Sequence, residues 1–327
     1  LSAAILEAWL FLGKVDEALA IARNTPSIGR HIVTLLERHA AKPFRVALNE
    51  LATIPFAEHP LTEYFPAFAC SVNGEETTAH VDTGGAFLYM GPERAKALGI
   101  ETIEAGKDRF HLDLKSRPIS AGIADTFSLG PATFENVPVI VLPTLVGDGD
   151  YIIYGTRILN PFLATLDYPK DRLILSPRND EALKVQHRAM LPPNGVEVPF
   201  YLWGDHFMFA RGRFADQHDL NFFVDSGLVV IHPDAAGKPR QAAFTTSKRI
   251  LKNWNIPQSE IRKGHFQIPG PLALGSLSQP DHIIQVGAAG DNNFGGVRID
   301  GLISHAFLKN YVWTIDFDTY TYTFGMP

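Results

Sequence analysis

The sequence holds a single cysteine, Cys70, in 327 residues. No intrachain disulfide can form, and no cysteine-based metal site can be built. Lysine and arginine never gather into a run, and acidic residues outnumber basic ones, 35 to 29. A formal charge of -6 gives no electrostatic grip on nucleic acid. No apolar stretch is long enough to span a bilayer. The twelve histidines show no HExxH or other paired spacing, which argues against a metal hydrolase. A GxSxG elbow, a phosphate-binding loop and a dinucleotide fingerprint are also missing. Composition is that of a globular chain, 46% hydrophobic and 20% charged, with room for two or three domains. It opens on Leu1 rather than Met, which fits a signal peptide removed or left off. A periplasmic or secreted location is favoured over a cytoplasmic one.

What is present is one pattern written twice. Ala79-His80-Val81-Asp82-Thr83-Gly84-Gly85 runs an apolar strand into an acid, a small hydroxyl residue and glycine. Phe222-Phe223-Val224-Asp225-Ser226-Gly227-Leu228 does so again. A lone Asp-Thr/Ser-Gly says little, since these are ordinary turn residues. Two copies inside longer matching patterns say much more.

Residues 1–60 read as a helical segment. Leu6, Leu10, Leu12, Val15, Leu19 and Ile21 recur at about helical spacing. Ala8 to Leu19 resembles half of a tetratricopeptide repeat, though one unit is too few for an array. The alternative is a plain helical prefix packed on the main body. A second helix is expected over Ile28 to Arg38 and a third over Phe44 to Ala52. From Ala67 the period becomes that of strands. Asn73-Gly74 joins two of them in a hairpin whose second strand delivers Asp82. Pro92 to Ile100 reads as a short helix, and strands follow at Arg109 to Leu114, Ile119 to Leu129 and Val137 to Leu142. The stretch Tyr151 to Gly155 leads to Asn160-Pro161-Phe162-Leu163 and a closing hairpin through Asp167. The second half repeats the order: His206 to Phe214, Leu220 to Val224, Ile299 to Ser304, then Ala306 to Phe317 with Asp316. From motif acid to closing acid is 85 residues in one half and 91 in the other. The chain is therefore read as a tandem duplication, with lobes at 61–190 and 191–327 and a linker near 176 to 200.

These motifs resemble the retropepsin/pepsin class of aspartic proteases. The shared signature is apolar-apolar-Asp-Thr/Ser-Gly, an Ala-x-x-Leu-Gly helix, apolar-apolar-Gly, a Phe-Leu helix and a closing hairpin. Residues 67–175 match it closely and 206–324 more loosely. The resemblance implies a mainly β fold of two pepsin-like lobes, here preceded by a short helical segment. It implies that Asp82 and Asp225 form a catalytic dyad in a cleft. Thr83 and Ser226, with Gly84 and Gly227, would brace the two loops crosswise. Two lobes in one chain would make a monomer sufficient. No cofactor and no metal are implied. Such a dyad shares one proton, activates a water and cleaves a peptide bound like an added strand. Activity is then expected on the acid side of neutrality. The alternative is a catalytically inactive peptide-binding protein on the same fold, with the N-terminal helices recruiting a protein partner. Gly85 and Leu228, following the motifs, depart from the family's preference for Ala, Ser or Thr. Ser304 stands where the second apolar-apolar-Gly would end.

Other residues have plainer expectations. His80 shares the face of Asp82 on an alternating strand, and a packed histidine is favoured over one that tunes the acid. Asp167 and Asp316 are expected to be structural. Gly147 to Asp150 and Asp291 to Asn293 lack the ligand spacing of a calcium loop and read as solvated turns. Relative lengths place a flap near Lys107 to Ile119. They also place an insertion at His232 to Ala243 in the second lobe, expected to overhang the cleft and shape specificity.

Overall fold

The fold is that of a computed structural model. It describes residues 13–26, 28, 30–108, 117–143, 151–204, 206–233, 237–267, 270–280, 282–287 and 297–326. Two helices come first, α1 (Val15–Arg23) and α2 (Arg30–Ala41). Ala18, Leu19, Ala22 and Leu36 form their small shared core. Residues 8–12 of the tetratricopeptide-like stretch lie outside the described residues, and its end, Val15 to Leu19, is the first part of α1. The third helix expected over Phe44 to Ala52 is instead a strand β1 (Arg45–Ala47), a connection, and the start of β2 (Ala52–Pro55). Each finds an exposed sheet edge. β1 pairs with Thr133 to Glu135, and β2 pairs with Arg172 to Leu175. Ladder bonds to a waiting edge outweigh the weak helix propensity of so short a run.

The first lobe then runs β3 (Ala67–Val72), β4 (Glu75–Val81), β5 (Leu88–Met90), helix α3 (Pro92–Ala97), β6 (Thr102–Asp108), β7 (Arg117–Leu129), β8 (Ala132–Val141), β9 (Ile152–Tyr154), helix α4 (Thr156–Leu159), β10 (Phe162–Asp167) and β11 (Arg172–Pro177). A linker helix α5 (Glu181–Ala189) follows. The second lobe has β12 (Val196–Trp203), β13 (Phe207–Phe214), β14 (Gln217–Val224), β15 (Ile231–Pro233), β16 (Pro239–Gln241), β17 (Phe244–Ser247), helices α6 (Lys248–Asn253) and α7 (Gln258–Arg262), β18 (His265–Gln267), β19 (Leu272–Leu274), β20 (Leu277–Gln279), β21 (Ile283–Gly287), β22 (Gly301–Ile303), helix α8 (His305–Leu308), β23 (Val312–Asp316) and β24 (Thr321–Gly325).

The duplication is visible in the pairings. β4 lies parallel to β9, β9 antiparallel to β5, and β5 parallel to β8. In the same order β14 lies parallel to β22, β22 antiparallel to β17, and β17 parallel to β21. Val81 faces Tyr154 as Val224 faces Ile303, so Gly155 and Ser304 are equivalent. The closing hairpins β10–β11 and β23–β24 meet through β10 and β23, where Thr165 pairs with Thr314. β2 and β12 flank this shared sheet, presenting Ile54-Pro55-Phe56 and Val198-Pro199-Phe200 in the same register. A sheet common to both lobes fixes their relative position, and the apolar core is continuous across it.

Polar groups pin this junction. Thr165 Oγ1 lies 2.7 Å from Thr314 Oγ1 and 2.8 Å from His187 Nε2, while His187 Nδ1 lies 3.0 Å from Ser176 Oγ. All four residues are buried. Arg178, just before α5, and Lys184 within it pair with Asp318, and Arg188 in its last turn pairs with Asp316. Asp167 accepts from Arg172 at 2.7 Å, and Asp316 accepts from the Asp318 amide. Both closing acids thus hold their own turns. Among the described residues no helix is long and apolar enough to cross a membrane.

Candidate active site

Both motif acids stand just past the end of a strand that is central to its lobe. The amide of Asp82 donates to Tyr154 O and that of Asp225 to Ile303 O, both at 2.9 Å, which continues each parallel ladder by one rung. The chain then turns back on the carboxylates. Gly84 N donates to Asp82 Oδ1 at 2.7 Å, and Gly227 N donates to Asp225 Oδ1 at 3.0 Å. Glycine is required here by close approach. A Cβ on Gly84 would lie 2.7 Å from Asp225 Oδ1, and one on Gly227 would collide with the Asp82 carboxyl. Each loop therefore presses its backbone against the other loop's acid.

Thr83 and Ser226 lock the loops together. Thr83 N donates to Ser226 Oγ and Ser226 N to Thr83 Oγ1, both at 3.0 Å. Thr83 Oγ1 donates onward to Val224 O at 3.0 Å, and Ser226 Oγ to Val81 O at 3.4 Å. Both side chains are fully buried. This twofold exchange brings the two carboxyls into hydrogen-bond contact. Burial is the main force that pushes the Asp82 carboxyl well above the usual carboxylate range, and the neighbouring Asp225 charge adds to it. Amide donors from Gly84 and Gly227 oppose the rise without cancelling it.

Residues 68–157 match the family model described as aspartyl protease. That stretch of the first lobe is similar to the aspartyl protease family. The match covers the strand, turn and Asp82 motif of that lobe and ends just beyond Gly155. The second lobe lies outside it and is tied to the first by its repeated topology. No curated protein matches the chain. Among solved structures the chain is similar to a retropepsin-like aspartic protease from Rickettsia conorii. The identity is 20%, the TM-score is 0.31, and the match covers 41% of this chain and 93% of that one.

Outside the aspartyl protease match, the second lobe departs from the motif without disturbing the brace. Leu228 points into a satellite core with Phe209, Phe223, Ile299 and Leu302. Ser304 Oγ donates to Ala242 O at 2.6 Å and accepts from Ala306 N at 3.1 Å, capping α8. At the equivalent Gly155 of the first lobe a Cβ would strike Gly85 O, so only that copy requires glycine. Gly85 itself leaves room for the Tyr89 ring, whose hydroxyl accepts from Ala86 N at 3.0 Å. His80 is a packed residue. It stacks on Phe65 at 4.4 Å, meets His59 edge-on at 4.7 Å, and lies 2.7 Å from Phe65 O. Its strand position is that of Phe223, and its contact with Phe65 corresponds to that of Phe223 with Phe207.

The loops beyond the dyad are described in part. β6 and β7 pair through Lys107 with Pro118 and Asp108 with Arg117, forming the stem of the expected flap. Its residues 109–116 lie outside the described residues, as do the turns at 147–150 and 291–293 and the strand expected at Arg109 to Leu114. The insertion after Asp225 is the β15–β16 hairpin. His232 bonds Gln285 and stacks on His265 at 3.9 Å, and Arg240 reaches Gln267. Among the described residues no group of His, Cys, Asp or Glu could hold a metal ion.

Ser226→Ala is expected to cost about 2–3 kcal/mol of stability, because it leaves the buried Thr83 amide without its acceptor. Denaturant unfolding measures the loss. A Ser226→Ala protein as stable as the parent would show that the brace carries no net energy.

Proposed function

We propose that the protein is an aspartic endopeptidase in which Asp82 and Asp225 share one proton. The observation that supports this reading is the contact between two carboxyls, each backed by the other loop. Like charges at that separation cannot both ionise cheaply, so one acid stays protonated near neutral pH. In this reading the charged partner takes a proton from a water held between them. The neutral partner donates to the carbonyl oxygen of the scissile bond. The tetrahedral carbon then collapses, and the amine leaves with a proton returned from the dyad. No covalent intermediate forms. The titration belongs to the pair. An extended peptide would lie along the cleft as an added strand, with the β6–β7 hairpin as its cover.

The test is hydrolysis of casein and of a peptide library at several pH values, with and without pepstatin. Cleavage that pepstatin suppresses, strongest between weakly acid and neutral pH, is the expected result. No cleavage at any pH, or a profile flat into the strongly alkaline range, would count against the reading.

A further inference from the structure

The first dyad loop is held by the residue that follows the apolar-apolar-Gly stretch. Thr156 Oγ1 donates to Thr83 O at 3.1 Å, and its amide donates to Gly85 O at 2.9 Å. Thr156 is fully buried. It can reach the loop directly because only five residues lie between Asp82 and Leu88, so the motif runs straight into β5.

By register, His305 is the equivalent of Thr156 in the second lobe, and Phe244 is the equivalent of Leu88. Eighteen residues lie between Asp225 and Phe244, because the β15–β16 hairpin intervenes. The motif loop is thereby moved out of direct reach. Gln241, at the end of that hairpin, spans the gap. Its Nε2 faces two carbonyls, Leu228 O at 3.4 Å and Tyr64 O at 3.5 Å. An amide nitrogen has two hydrogens and can serve both. Its Oε1 is then left to accept from His305 Nδ1, which lies 3.0 Å away. The ring tautomer follows, with the proton on Nδ1. Both side chains are buried, Gln241 at 7% exposure and His305 at 2%. Burial, followed by the Lys309 charge, keeps the His305 ring neutral, with its pKa lowered to about 3.

Building on the dyad reading, we propose that His305 and Gln241 are the positioning residues for Asp225, performing through a relay what Thr156 does for Asp82 by direct contact. Ser304 completes the hold by binding Ala242 and Ala243. The insertion thus carries its own fastening. His305 also lines a cavity of about 650 Å³ with Phe56, His59, Tyr168 and Lys309, so the relay ends at an open face.

The test compares His305→Phe, which keeps a ring and loses the donor, with His305→Asn, which keeps a donor nitrogen near the Nδ1 position. In the full chain His305→Phe is expected to lower kcat about tenfold or more with KM within about twofold. His305→Asn should recover most of it. Carbon-13 NMR of labelled aspartate carboxyls reads the dyad titration independently of turnover. His305→Phe should move that titration by about half a pH unit or more, and His305→Asn should leave it in place. If His305→Phe does not fold, Gln241→Met takes its part under the same two measurements. An unchanged kcat with an unchanged carboxyl titration overturns the proposal. So does His305→Asn behaving like His305→Phe. If the parent cleaves nothing yet the titration moves as stated, the peptidase reading fails and the positioning role stands.

Discussion

Asp82→Asn is expected to lower peptide cleavage about a thousandfold or more while the protein stays folded. General acid–base exchange contributes about a hundred- to ten-thousandfold, and a dyad with one amide can no longer pass its proton back and forth. The fold has reason to tolerate the change. Asn Oδ1 can still accept from Gly84 N, the 2.7 Å contact that Asp82 makes. Stability should even improve at higher pH. The folded pKa of Asp82 lies well above its usual value, for reasons of burial first and Asp225 second. The folded protein therefore holds a proton that the unfolded chain has lost. Its stabilising contribution is full below about pH 4 and is lost as pH rises through the raised value. Asn has no charge to bury, so the variant escapes that loss. Thermal melts from pH 5 to 9 should show the parent falling relative to Asp82→Asn. An Asp82→Asn protein retaining a tenth of parental cleavage would sink the dyad assignment, and parallel melts would sink the account of its electrostatics.

Acid should unfold the protein with a midpoint near about pH 4 to 5, and histidine is the cause. His80 and His187 are almost fully buried with pKa values lowered to about 4, and His305 to about 3. Burial is the first cause in each, because a dry site disfavours the imidazolium. Here the unfolded chain binds the proton first. Stability is unaffected above about pH 6.5 and falls as pH drops toward the folded values. By pH 4 each of these rings costs about 3 kcal/mol, and three approach the whole stability of an ordinary domain. Protonation of the dyad works in the opposite direction but involves one raised carboxyl. Activity should therefore be confined between acid unfolding below and loss of the shared proton above. His80→Phe copies the residue at the equivalent position, Phe223. It leaves Phe65 O unpaired, at about 1 kcal/mol, but removes a group that must charge in acid. The variant should be less stable than the parent at pH 7 and more stable at pH 4. Unfolding curves that keep the same order at both pH values would refute this.

The sequence by itself determined the strands that carry the acids, because their signals are local. Asn73-Gly74 specifies a two-residue hairpin, and Ala67–Val72 with Glu75–Val81 appear as read. The repeated Asp-Thr/Ser-Gly marked Asp82, Thr83, Asp225 and Ser226, since glycine must follow where a backbone presses on a carboxylate. The same local logic failed at 44–52. There the run has no strong period, and the outcome depends on free edges at β8 and β11 that lie far away in sequence. The recurrence of Ile-Pro-Phe and Val-Pro-Phe was a usable sign of the strand that was missed.

Only the tertiary structure decided what the departures mean. Leu228 and Ser304 look like damage in one dimension, but in three they are a core residue and a helix cap. His80 shares the strand face of Asp82 by spacing, yet its ring packs against Phe65 and His59 and is held by Phe65 O, partners that the local sequence does not place there. Gln241 and His305 lie 64 residues apart and carry no motif. Their meeting depends on β22 lying between β14 and β17, a long-range pairing that no local spacing encodes.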